Sequence, residues 1–341
     1  MSKQKSNLDL VREVDCLFNH RNQKSFRQDP DGAPVDDTVY TWIIRHGGRT
    51  VPIGYLVPAV LEELHELPAP LREHVEIDSQ SQTVTMMTGV LAEDLTKYLA
   101  EVANLWREHR TFSILQTWRD ELWPVYNDVG GLVCNIERSA AGLFGVNRYG
   151  VHLTGFVRSP ESSHGLKIWI PKRSASKSTF PGMLDNTVAG GLMTGEDPFE
   201  CVVREADEEA SLPESLVRNS ATLVGTITYV YVTDQRAGGE SGLIYPECQW
   251  VYDLEIPAAV VPTPKDGEVE SFDLCTVEEI RDQLSEGRFK PNCAVVMIDF
   301  FIRHGILNRA NEPDLKEICR HIHRKLPFPG PHEAIHIQRG H

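Results

Sequence analysis

With 341 residues, 41% of them hydrophobic and 24% charged, the chain has the composition of a folded protein and the length of two units, which excludes wholesale disorder. Its formal net charge of −15 excludes general binding to nucleic acid or to an anionic membrane, since both rest on cationic surfaces. Seven cysteines lie scattered without a C-x-x-C pair, which points to neither a zinc knuckle nor a disulfide framework and makes a reducing compartment the default.

The opening "MSKQKSNLDLVREV" lacks a charged-then-apolar signal pattern, and no apolar run approaches the roughly 18 residues of a membrane span. A soluble, cytoplasmic chain is expected, and an organelle address stays open because "MSKQKSN" is basic and free of acids. Oligomeric state is not readable from the sequence. Along the first third, "TVYTWIIR" reads as a strand, and "VPAVLEELHEL" and "EDLTKYLAEVANLWREHR" (93 to 110) read as helices. The turn-rich "NDVGG" marks a boundary, so a seam is placed near residue 125. Beyond it come strands "GVHLTGFVR" and "GLKIWIPKR", the loop "SASKSTFPGMLDNTVAGG", a helix over 197 to 210, and strands "TLVGTITYVYVT" and "CQWVYDLEIP" with the loop "GLIYPE" between them. Helices "TVEEIRDQLSEG" and "PNCAVVMIDFFIRHGI" follow. Strands flanking single helices predict mixed α/β layering. The Pro- and His-rich end, 329 to 341, is expected to be a loosely ordered tail.

On the helix of 197 to 210, Phe199, Val202, Val203, Ala206 and Ala210 share one arc. Glu205, Glu208 and Glu209 fall on another arc at i, i+3 and i+4, so their side chains can converge on one point. Arg204 lies one turn before Glu208, and Glu196 and Asp197 sit where the helix dipole favours negative charge. A solvated charged face accounts for this spacing as well as a site does. Converging carboxylates beside the glycines at 190, 191 and 195 are, however, the oxygen-rich surroundings that a hard divalent ion demands.

The whole stretch "GGLMTGEDPFECVVREADEEASL", from Gly190, resembles the Nudix box, with Ser211 where that pattern has glycine. The resemblance implies an α/β fold, a Nudix α/β/α sandwich with a mixed sheet (126 to 328), preceded by a smaller α+β domain (1 to 125). It implies hydrolysis of a small-molecule diphosphate with Mg²⁺ or Mn²⁺. Glu205, Glu208, Glu209 and a carbonyl at Ala189 or Gly190 would then be ligands, and Arg204 and Glu196 would orient them. A fourth acid from outside the helix is usual in this family. Glu268 is favoured over Glu247 and Glu270, with alternation along a strand placing Glu268 and Glu270 on one face. Lys172, Arg173 and Lys177, close together in an acidic chain, are candidates to hold the terminal phosphate. The same loop resembles that of isopentenyl diphosphate isomerase, but Ala189 stands at that enzyme's cysteine, which disfavours isomerisation. Trp169, Tyr229, Tyr231 and Trp250 are available to stack on a ring or to fill the core.

The likeness extends from about residue 10 to 328. "WRDELWPVY", "FGVNRYGVHLTGF", "FPGMLDNTVAGG", "READEEASLPE", "VYDLEIP", "DGEVESFDL" and "FKPNCAVVMIDFFIRHG" resemble the two-domain Nudix branch described as related to thiamin pyrophosphokinase. That branch implies hydrolysis of thiamin diphosphate and its oxo- and oxy- analogues to the monophosphate, a metabolite damage repair role. A nucleoside diphosphate sugar as substrate, or a non-catalytic ligand-sensing module, are the alternatives.

Overall fold

A computed structural model describes residues 4–17, 26–28, 34–36 and 38–334. Helix α1 (Asn7–Val14) starts on Ser6, whose hydroxyl accepts the Asp9 N–H at 3.1 Å while the Asp9 carboxylate accepts the Ser6 N–H at 3.0 Å. The short strands β1 (Phe26–Gln28) and β2 (Pro34–Asp36) pair with each other. Strands β3 (Tyr40–His46), β4 (Arg49–Leu56), β5 (Val75–Asp78) and β6 (Thr83–Met86) form a sheet in the order β4-β3-β6-β5. Its helices are α2 (Pro58–His65), α3 (Ala69–Arg72) and α4 (Ala92–Glu108). The strand expected in "TVYTWIIR" is β3, and the two expected helices are α2 and α4.

A hairpin of β7 (Leu122–Tyr126) and β8 (Leu132–Glu137) follows and packs on α4. The expected seam near residue 125 falls inside β7, so the hairpin straddles it. The second sheet contains β9 (Arg148–Arg158), β10 (Leu166–Arg173), β11 (Val188–Gly191), β12 (Thr222–Val232), β13 (Ile244–Glu255) and β14 (Val269–Cys275), ordered β12-β13-β9-β10-β14 with β11 on β9. The pairing of β13 with β9 is parallel and the rest is antiparallel, giving the mixed sheet expected. Helices α5 (Pro198–Ala210) and α6 (Glu214–Ser220) cover one face; α7 (Val277–Ser285), α8 (Pro291–Arg303) and α9 (Leu315–Ile322) cover the other.

Alternation along the strands separates the layers. On β10, Ile168 and Ile170 join the core beneath α8, while Trp169 between them joins the core beneath α5. The first of these cores is continuous with that of the amino-terminal sheet, through Trp42, Phe144 and Trp106. Gly145 marks the closest join: its φ is +57°, its carbonyl accepts the Tyr55 N–H at 3.2 Å, and a Cβ there would fall 2.1 Å from the Tyr55 carbonyl oxygen.

Helix α1 packs chiefly on α8, α9 and β12. Asp15, almost fully buried just after it, accepts from Arg324 and lies 2.5 Å from His321 Nδ1. The expected loop "GLIYPE" is corrected in its second half, because buried Ile244 and Tyr245 pair with Val232 and Tyr231 and begin β13. Residues 331–334 of the expected tail make one 3₁₀ turn, and 335–341 lie outside the described residues. No helix among the described residues is long and apolar enough to cross a membrane.

Candidate active site

Helix α5 begins where the sequence says it should. Asp197 caps it, accepting the Phe199 N–H at 2.8 Å, and Pro198 occupies the first turn, where its missing N–H costs nothing. Cys201, Val202, Val203, Ala206 and Ala210 are buried against β9 and β11. The helix ends through Ser211 in the left-handed region (φ 52°), where the Leu212 N–H returns to the Ala206 carbonyl at 3.0 Å. The strain of a non-glycine there, about 1 kcal/mol, is offset by the Ser211 hydroxyl, which donates to the Thr263 carbonyl at 3.0 Å.

The opposite arc carries the acids. Arg204 gathers them: it donates to Glu196 at 2.8 and 3.2 Å, to Glu205 at 2.9 Å and to Glu208 at 3.0 Å. Glu209 accepts the Ala189 N–H at 2.9 Å, fastening the helix to the end of β11. Gly190 is required by contact, because a Cβ there would sit 2.2 Å from Glu205 Oε1. Its carbonyl oxygen lies 2.8 Å from where a Gly150 Cβ would be, so two glycines clear the floor beside the carboxylates.

Burial pushes Glu205 up to about 7, with Arg204 opposing and Glu208 adding to the rise. Burial also raises Glu209 well above the ordinary carboxylate range, with Glu205 and Asp185 adding to it. Acids packed together away from water hold charge only with a cation between them. The donor set, three carboxylates and a backbone carbonyl with neither histidine nor thiol, fits a hard divalent ion.

A second cluster, His152, Asp185 and Cys293, has ligand atoms within 4.8 Å of one another. Here the groups serve each other. His152 Nδ1 lies 2.7 Å from Asn186 Oδ1, and Asp185 accepts from Cys293 at 2.6 Å and from Arg173 at 2.6 Å. Burial holds His152 down at about 4, and the Lys290 charge adds to the shift. The cluster is a buried polar network beneath the site.

A cavity of about 500 Å³ runs from Glu205, Glu208 and Glu209 past Gly150 to Tyr229, Tyr245 and Glu247. The sequence-predicted basic residues are not all brought to it. Lys177 lines it, ion-paired with Glu268. Arg173 reaches its wall but is 7% exposed and is engaged by Asp185 and the carbonyls of Phe180 and Thr179. Lys172 pairs instead with Glu270 at 2.8 Å, away from the cavity lining.

The expectation that Glu268 and Glu270 share a face is corrected. Lys172 pairs with Ser271 but Arg173 with Val269, so Glu270 is an extra residue at a β-bulge and the alternation breaks there. Glu268 enters the cavity; Glu270 does not. Burial would raise Glu268, but the Lys177 charge prevails and leaves it lowered. All four aromatics considered are buried in the cores, and of them only Tyr229 and Tyr231 also reach the cavity wall.

Arg148, Trp123 and Arg138, to which sequence reasoning gave no role, complete the walls together with Glu247, considered there only as a fourth acid. Arg148 is held between Trp123 and Tyr245, its guanidinium 4.8 and 4.1 Å from their ring centroids. Glu247, 13% exposed, accepts from Tyr229 at 2.6 Å, Gln249 at 3.0 Å and Arg148 at 3.3 Å. Trp123 and Arg138 come from the β7–β8 hairpin and abut Gly191, whose Cβ would lie 3.1 and 3.5 Å from them. Trp123 and Arg148 lay within "WRDELWPVY" and "FGVNRYGVHLTGF", which matched in likeness with no role attached to either residue, and Arg138 lay in neither.

A mixed sheet between helical layers, with three acids of one helix lining a single cavity beside a glycine strand, is the arrangement of a Nudix-type hydrolase. A family model for the NUDIX domain matches residues 151–293, and one described as a domain of unknown function (DUF4743) matches 47–148. The chain is 32% identical over 327 residues to uncharacterized protein YJR142W of Saccharomyces cerevisiae, covering 94% of this chain and 92% of that one. It is 39% identical over 275 residues to Nudix hydrolase 20, chloroplastic, of Arabidopsis thaliana, covering 75% and 70%. It is 33% identical over 283 residues to Nudix hydrolase 24, chloroplastic, of the same plant, covering 79% and 73%. The chain belongs to the Nudix hydrolases, enzymes that cleave small-molecule diphosphates and generally require a divalent metal.

Proposed function

We propose that the chain hydrolyses thiamin diphosphate and its oxidised or damaged analogues to the monophosphate and phosphate, with Mg²⁺ or Mn²⁺ held by Glu205, Glu208, Glu209 and the Gly190 carbonyl. The observation that carries this reading is the continuity of one cavity, lined by the carboxylates of α5 and also by aromatic rings around a largely buried acid, Glu247. Tyr229, Tyr245 and Trp123, though largely buried, give that part of the cavity an aromatic wall, and Glu247 suits an amino-substituted or cationic ring beside it. The motifs shared with the thiamin pyrophosphokinase-related branch support the same substrate.

A divalent ion bound at the carboxylates supplies charge neutralisation on the phosphoryl oxygens and a lowered water pKa. The chain does the rest. Arg204 and Glu196 hold the carboxylates in one orientation. Glu268, kept ionised beside Lys177, accepts a proton from the water that attacks the terminal phosphorus. The bond to the bridging oxygen breaks and that oxygen leaves with the monophosphate. The test is a panel assay with Mg²⁺ or Mn²⁺, measuring phosphate and monophosphate release from thiamin diphosphate, its oxo- and oxy- forms, and a nucleoside diphosphate sugar. The thiamin compounds are expected to give the highest kcat/KM, and a preference for the sugar nucleotide would overturn the substrate. Glu209→Gln separates an enzyme from a sensing module, since only the enzyme has turnover to lose.

A further inference from the structure

The diphosphate end of the cavity has a shortage of free positive charge. Among the cations lining it, Arg204 is spent on Glu196, Glu205 and Glu208, and Arg173 on Asp185 and two carbonyls. Arg148 is paired with Glu247 between two rings, and Lys177 is paired with Glu268. Lys172, from the same loop, is diverted to Glu270. A substrate with two phosphates, entering among this many acids, needs more cationic donors than these leave over.

Lys290, which also lines the cavity, sits close enough to the buried Asp185 and His152 for its charge to shift both. Two further cations come from the segment before the matched NUDIX span. Arg119 lines the cavity and also its mouth, beside Lys177 and Glu268, and its side chain makes no ion pair among the described residues. Arg138 donates to Glu121 at 2.7 Å through one nitrogen, which leaves further donors on its guanidinium. It packs over Trp123 at 5.4 Å, beside Gly191, next to the glycine against which Glu205 lies. A buried carboxylate fixes both positions. Glu137, 5% exposed, accepts the backbone N–H of Arg119 at 3.0 Å and that of Ser139 at 3.3 Å, so one side chain pins the backbone on which each arginine is carried.

We propose that Arg119 and Arg138 form, with Lys177, the wall that binds the terminal phosphate of the substrate, so that the amino-terminal part of the chain builds half of the active site. This inference rests on the diphosphatase reading but not on the identity of the organic group. The probe is accordingly a non-hydrolysable diphosphate without a ring, imidodiphosphate with Mg²⁺, titrated against the full chain as ligand and as inhibitor.

Arg119→Gln and Arg138→Gln are each expected to weaken its binding about 10-fold or more, to raise KM more than they lower kcat, and to flatten the salt dependence of binding. Arg138→Lys should recover part of the loss, because charge returns without the fork. Arg158→Gln, an exposed change on the far end of β9, serves as the control with no effect, and thermal melting of each variant verifies folding. If both glutamine variants bind the probe within twofold of the parent chain, the inference is overturned while the diphosphatase reading stands. If the parent chain neither binds the probe nor turns over any diphosphate, that reading fails and this inference falls with it.

Discussion

Replacing Gly190 with alanine separates catalysis from stability. The new Cβ would stand 2.2 Å from Glu205 Oε1 and 2.3 Å from its Cδ and Cγ, where ordinary contact begins at 3.4 Å, so the carboxylate has to retreat by about 1.2 Å. The obstacle is the Glu205 side chain from Cγ outward and not backbone, and that side chain lines the cavity into which it can turn. Stability should therefore change little, with a melting temperature within about 3 °C of the parent, equivalent to roughly 1 kcal/mol. Activity should not survive as well, because a 1 Å misplacement of a group that positions the reaction costs on the order of 100-fold. The matched comparison is Gly145→Ala, where the Cβ meets the Tyr55 carbonyl oxygen at 2.1 Å and φ is +57°. There the obstacle is backbone and the position is left-handed, so stability falls first. The assay is kcat/KM for phosphate release alongside a thermal melt for both variants. A Gly190→Ala enzyme with parental kcat/KM would refute the reasoning, since it would mean that the position of Glu205 is immaterial.

Arg204→Lys should lower kcat by about 10- to 100-fold, because a lysine cannot reach Glu196, Glu205 and Glu208 together as the guanidinium does; steady-state kinetics with a melt as control would check it. Glu247→Gln should raise KM for ring-bearing diphosphates while leaving imidodiphosphate binding unchanged, and equal loss for both would place Glu247 outside ring recognition. His152 supplies a pH test. Its folded pKa, held down at about 4 by burial from an ordinary 6.5, keeps it neutral in the native state. Stability is then full above about pH 6.5 and is lost as pH falls toward 4, by roughly 3 kcal/mol from this group alone. Denaturant titrations across that window should show a shallower fall in His152→Gln than in the parent. Asp15→Asn, which breaks a buried ionic cluster with Arg324 and His321, should cost about 3–5 kcal/mol in the same measurement.

What was legible in the sequence was whatever local periodicity carries. The cap at Asp197 and the stripe of Val202, Val203, Ala206 and Ala210 follow from local signals, and the helix stands where they placed it, with Phe199 of that stripe only half-buried; the same repeat puts Glu205, Glu208 and Glu209 on the cavity wall. Alternation misled at Glu270, because a single-residue bulge in β14 is invisible in a run of mixed polar and apolar residues. Lys172 and Arg173 illustrate a different limit. Adjacent residues on a strand point to opposite sides, and one was taken up by Glu270 and the other by Asp185, partners about 98 and 12 positions away in the chain. Arg119 and Trp123 lay in a stretch noted only for its likeness, and Arg138 outside every quoted stretch, so none of the three had a legible role. Their importance depends on a hairpin docking beside Gly191, a tertiary event with no short-range signature.

The anchoring of Asp15 by His321 and Arg324 joins positions more than 300 residues apart. During synthesis α1 emerges long before the surface it covers, which is made chiefly of α8, α9 and β12. Until residues 315–324 leave the exit tunnel, the apolar face of the newborn helix has no seat of its own. Truncation from the carboxyl end would strand it in that waiting state, and such fragments should be captured by chaperones while the finished chain goes free.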